Sequence, residues 1–80
     1  MLKNYDEIIG KQLKKVRESK GYTLNDVASN VNSKISTISN YEQGIRSIPV
    51  PKLKDVLDFM NYDFFKFMSE VFELCEKEDQ

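Results

Sequence analysis

The chain reads as an all-α protein built of five helices. Apolar residues recur at spacings of three and four through five separate segments, and no stretch shows the alternation of a half-buried strand. Gly21, Gly44 and Pro51 stand at the ends or beginnings of those segments, where helices stop and start.

The first segment runs from Tyr5 to Lys20. Ile9, Leu13 and Val16 form its stripe, extended by Tyr5 and Ile8, while Lys11, Lys14, Lys15 and Glu18 lie elsewhere. Gly21 supplies a left-handed stop. Thr23 with Asp26 three residues later resembles a capping box, so a second helix is expected from about Leu24 to Val31, burying Leu24, Val27, Ala28 and Val31. Asn32 and Ser33 break the pattern, and asparagine tolerates the left-handed backbone of a tight turn. A third helix carries Ile35, Ile38 and Tyr41 and ends at Gly44; Ser33 is a candidate for its cap. After the extended segment from Ile45 to Pro51, Pro51 opens a fourth helix and Val50 before it is held out of helical geometry. That helix is lined by Leu53, Val56, Leu57 and Met60. Asn61 and Tyr62 turn the chain, and Asp63 caps a fifth helix over about 63–77.

Composition narrows the function. Eighty residues leave room for one small domain, and barrels or doubly wound sheets do not fit. The absence of histidine and the single cysteine, Cys75, exclude disulfide frameworks, Cys/His zinc sites and histidine-based acid–base catalysis. No metal or cofactor is expected, and no enzyme activity. The start of the chain is no signal peptide and no apolar run is long enough to span a bilayer, so a cytoplasmic location without membrane contact is expected.

The segment from Thr23 to Gly44, TLNDVASNVNSKISTISNYEQG, carries the function. Ala28, the turn residue Asn32 four positions on and Ile38 six beyond it have the spacing of a helix-turn-helix. Ala28 is small where the second helix crosses the first, and Ile38 anchors the second helix to the core. With RESKGYT and TISNYEQG, the chain resembles the phage-repressor, Cro-like (XRE) helix-turn-helix family over roughly Ile8 to Met68. The resemblance implies a five-helix, lambda-repressor-like DNA-binding fold and sequence-specific regulation of transcription through double-stranded DNA. It also implies a recognition helix at about 34–43 in the major groove and a buried ion pair between Arg17 and Glu42.

Carried over position by position, the base-reading face is Ile35, Ser36, Ser39 and Asn40. Asparagine can bond adenine N6 and N7 together, serine reads donors or acceptors, and isoleucine packs on a thymine methyl. No arginine sits on this face, so an A/T-rich site is expected. Phosphate contacts are expected from Thr23, Lys34, Thr37, Gln43 and Arg46, which set register and affinity. Leu24 departs from the family, where a glutamine often bridges phosphate and base reader. Ser33 and Lys34 likewise replace the usual apolar turn residue and hydroxyl cap.

The last helix is more aromatic than such a core requires. Phe64, Phe67, Val71 and Leu74 or Cys75 form one stripe; Phe65, Met68 and Phe72 fall partly outside it and make a candidate homodimer face. Two alternatives stay open. The acidic, aromatic tail also suits a protein-interaction module such as an antitoxin or anti-regulator, and the motif set is also similar to the amino-terminal domain of Rgg-type peptide-sensing regulators, of which the chain would be an excised part.

The net charge of −1 conceals an asymmetry. Residues 1–54 hold ten basic and five acidic side chains, whereas residues 55–80 hold two basic and eight acidic. The expected reading half is cationic, and the acidic end should face away from a duplex.

Overall fold

In a computed structural model, described here for residues 4–78, five α-helices follow one another: α1 (Tyr5–Ser19), α2 (Leu24–Asn30), α3 (Ile35–Gln43), α4 (Val50–Phe59) and α5 (Phe64–Glu78). No strand occurs among the described residues. α3 packs against both α1 and α2; α5 lies on the other flank of α1, and α4 closes the bundle against α2 and α5. One contiguous core results, with Leu13, Val27, Ile38, Val56, Leu57, Met60, Phe67 and Val71 fully buried within it. Each helix contributes an inward stripe, so burial of apolar surface holds all five together.

Helix boundaries follow local chemistry. At α1, Asn4 Oδ1 accepts from the Glu7 amide at 3.1 Å, satisfying one of the unpaired first-turn donors. The Thr23 capping box is complete: Thr23 Oγ1 accepts from the Asp26 amide at 3.0 Å, and the Thr23 amide donates to Asp26 Oδ2 at 2.8 Å. Asp63 caps α5 by accepting from the Lys66 amide at 2.7 Å. Gly21 and Gly44 take φ of 78° and 75°, and Asn32 and Asn61 take 54° and 55°, the left-handed geometry their turns require.

Several sequence-based expectations shift. Periodicity places Ile9 on the stripe of α1, but Ile8 is the buried residue, Ile9 is partly buried and Tyr5 is exposed. The inward face of α1 is wider than an apolar pattern reveals because it includes Gly10, Gln12 and Arg17. α1 stops at Ser19 with Lys20 as its cap, and α2 stops at Asn30 with Val31 as a buried cap. Ser33 does not cap α3; its hydroxyl donates to the Val31 carbonyl, and Lys34 takes the cap position without a side-chain bond. α4 begins one residue early, with Pro49 as its cap, Val50 as its first residue and Pro51 as its second. Proline is tolerated there because first-turn amides lack intrahelical acceptors. On α5, Met68 is half-buried against the core, partly outside the inward stripe. Phe65 and Phe72 alone among the helix's aromatics stay outside, 78% and 57% exposed.

Candidate nucleic-acid interface

The position of α3 is set from behind. Gly10 of α1 faces the carboxyl-terminal turn of α3 so closely that a β-carbon there would lie against the Tyr41 carbonyl oxygen and 2.5 Å from that of Glu42. No side chain fits, so the two backbones approach directly. About one turn earlier on α1, Glu7 meets Gly44, which combines its left-handed geometry with an approach that would put a β-carbon 2.6 Å from Glu7 Cγ.

The ion pair implied by the family resemblance is present. Arg17 Nε and Nη2 donate to Glu42 Oε2 and Oε1 at 2.7 and 3.0 Å, and Nη1 donates to the Tyr22 carbonyl at 2.8 Å. Both residues are buried, 8% and 7% exposed. The two parallel bonds match the planar guanidinium to the carboxylate and fix the rotation of α3 about its axis. Hydrogen bonding to Glu42 pushes the Arg17 guanidinium above its ordinary value, against the opposing effect of burial.

With Ile38, Tyr41 and Glu42 turned inward, α3 presents its other face outward. Ile35, 48% exposed, and the exposed Ser36 lie at its start, with Ser39 and Asn40 half-buried a turn further along. The expected base-reading residues therefore do share one outward sector of α3, although its two members nearest the core are partly covered. Gln43 Nε2 donates to Ser39 Oγ at 2.8 Å, joining one expected phosphate ligand to one expected base reader. Thr37 is half-buried and Lys34 exposed at the cap. Thr23 stands apart at the cap of α2, its hydroxyl oxygen engaged in capping while its own proton remains a donor.

Arg46 is exposed in the loop after α3, and that loop is held at two points. The amides of Ile45 and Arg46 donate to the Asn40 carbonyl at 3.1 and 3.3 Å, and the Ser47 hydroxyl donates to Asp6 Oδ2 at 2.6 Å. The bond from Ser47 to Asp6 spans 41 positions and was not legible in the sequence, since nothing local marks Asp6 as a partner. Sequence reasoning also missed Gln12, which is buried and donates from Nε2 to Glu70 Oε1 at 3.2 Å. The same carboxylate accepts from the Tyr62 hydroxyl at 2.5 Å, and burial together with that bond pushes the phenol up to about 12.

No cluster of histidine, cysteine, aspartate or glutamate suited to a metal occurs among the described residues. Nor is any described helix long and apolar enough to cross a membrane.

Two helices joined through a left-handed asparagine, the second locked to α1 by a buried bidentate pair and turned outward by a polar sector, define a helix-turn-helix protein. The chain belongs to the helix-turn-helix family, whose model matches residues 13–67. The function that comes with this family is DNA-binding transcription regulation. Among solved structures, the clp gene regulator ClgR from Corynebacterium glutamicum is similar with a TM-score of 0.85 at 22% identity, over 94% of this chain and 84% of that one. The wild-type restriction-modification controller protein C.Esp1396I aligns with a TM-score of 0.82 at 22% identity, over 91% of this chain and 95% of that one. These likenesses support the fold. No curated protein matches the sequence significantly.

Proposed function

We propose that the protein binds double-stranded DNA sequence-specifically, with the outward sector of α3 in the major groove. The observation that carries this reading is the sidedness of α3. Its buried residues and its only carboxylate face inward, leaving Ile35, Ser36, Ser39 and Asn40 towards the outside, between Lys34 at one end and Arg46 beyond the other. In this reading Ile35 meets a thymine methyl, Ser36 and Ser39 bond base edges and Asn40 pairs with adenine, favouring an A/T-rich site. Lys34, Thr37, Gln43, Arg46 and Thr23 hold phosphates and set the register. The acidic residues of α4 and α5 face away from the duplex, and the site of action is the cytoplasm. No catalytic step is assigned to any residue.

Phe65 and Phe72 lie seven residues apart on α5 and are the two most exposed phenylalanines. They support a homodimer through α5, which would set two recognition helices roughly 34 Å apart on a palindromic site. Sedimentation of the wild type beside Phe72→Glu tests this: a concentration-dependent dimer lost in the variant supports it, and a wild type that stays monomeric at high concentration overturns it.

The groove reading is tested by selecting a preferred duplex from a random pool and comparing two variants on it by fluorescence anisotropy. Arg46→Ala is expected to weaken all sequences alike, whereas Asn40→Ala relaxes preference at a single base pair by about 1–3 kcal/mol. Uniform losses for both variants contradict the assignment of Asn40.

A further inference from the structure

A notch of about 310 Å³ lies between α1 and the outer edge of α3. Lys11 and Lys14 of α1 form one side of it, Ser39 and Gln43 of α3 the other, and Leu24 bounds it from α2, with the Arg17–Glu42 pair between them. Glu42 is the only carboxylate that lines it, and both of its oxygens accept from Arg17. Lys11 and Lys14 have no ion-pair partner among the described residues. Two ammonium groups without a salt-bridge partner among the described residues therefore share a concavity with two neutral polar side chains and a half-buried apolar one, where an anion would lose part of its water and face both charges.

We propose that Lys11 and Lys14 together bind a DNA backbone phosphate on the α1 side of the recognition helix. The contact rests on the groove reading above, because Ser39 and Gln43 belong at once to the notch and to the face placed towards DNA. A strand running along the edge of α3 brings a phosphate against the same residues. The lysines then act as point charges, adding affinity without base preference. Gln43, whose amide keeps a second proton after donating to Ser39 Oγ, offers that proton to the phosphate oxygens, and Ser39 stays with the bases.

The experiment measures binding of the selected duplex across a range of salt concentrations for the wild type, for Lys11→Gln/Lys14→Gln and for the charge-matched Lys15→Gln/Lys77→Gln. All four lysines are exposed, so the variants retain the fold, as thermal unfolding will verify. Neutralising one phosphate contributes about 0.9 to the slope of log K against log salt, so the notch variant is expected to flatten the slope by about 1 and to lose about tenfold in affinity near 0.1 M salt. Methylphosphonate substitution, which removes the charge of one backbone position at a time, should find a position that weakens the wild type and leaves the notch variant unaffected.

The inference is overturned if the notch variant keeps the wild-type slope, if the charge-matched control loses as much, or if no single methylphosphonate position separates the two proteins. It is also overturned if inorganic phosphate at constant ionic strength saturates the notch of the free protein, which would make it a site for the free ion. Failure of Arg46→Ala and Asn40→Ala to affect binding strikes the groove reading instead, while absence of DNA binding by the wild type removes both.

Discussion

Where α1 crosses α3, a glycine lets two backbones meet and a bidentate ion pair fixes their rotation; where α1 meets α5, an amide and a phenol converge on one carboxylate. The first contact has no slack, since Gly10 abuts the carbonyls of α3 and Arg17 and Glu42 are buried. The second is looser. Glu70 and Tyr62 are only partly buried, and Gln12 and Tyr62 each reach Glu70 through a single atom pair that small rotations can restore. The difference teaches where precision is needed: α3 must hold its outward sector at a fixed angle, whereas α5 has only to cover the core.

The largest effect should come from Glu42→Ala, which strands the Arg17 guanidinium in the interior. Chemical denaturation is expected to show a loss of about 3–5 kcal/mol, as for other broken buried pairs. A loss below about 1 kcal/mol would erase the contrast between the two contacts. Next is Gly10→Ala, which can fold only by displacing backbone against backbone. Overpacking of this kind costs about 1–3 kcal/mol, and weaker DNA binding than the stability change explains would show that the displacement reaches α3.

Tyr62→Phe should have the smallest effect, about 1.5 kcal/mol, because it removes one hydrogen bond to a charged acceptor that still keeps Gln12. This contact has a pH signature. The neutral phenol is favoured in the folded state, with its folded value raised from 10.0 to about 12, so its contribution is complete below pH 10 and is lost as pH rises towards 12. The free energy of unfolding measured through that window should fall more steeply for the wild type than for Tyr62→Phe. Parallel curves would remove Tyr62 from the account of α5.

Most of the fold was legible because its signals are local. Thr23 and Asp26 announce the start of α2, Gly44 the end of α3, Asn32 and Asn61 the turns, and the apolar spacing the inward stripes. The ion pair was legible by resemblance, from Arg17 and Glu42 standing in the matching positions of a known motif. What stayed hidden depends on residues brought together from afar. Gly10 reads as an unremarkable helix residue until α3 lies against it, and Gln12 reads as solvent-facing until Glu70, 58 positions on, supplies a partner. Ile8 and Ile9 could not be ranked because adjacent residues differ by only about 100° around a helix and the inward face of α1 includes polar members. Met68, half-buried, stands between the inward stripe of α5 and the exposed Phe65 and Phe72.

The start of α3 lacks a side-chain cap, and the first residue of the helix to be buried is Ile38. Residues 34–36 can consequently be exchanged without disturbing Ile38, Tyr41, Glu42 or Gly44, which hold the helix. The fold thus separates scaffold from text: a segment transplanted into this position would inherit the orientation of α3 while bringing its own preference for sequence.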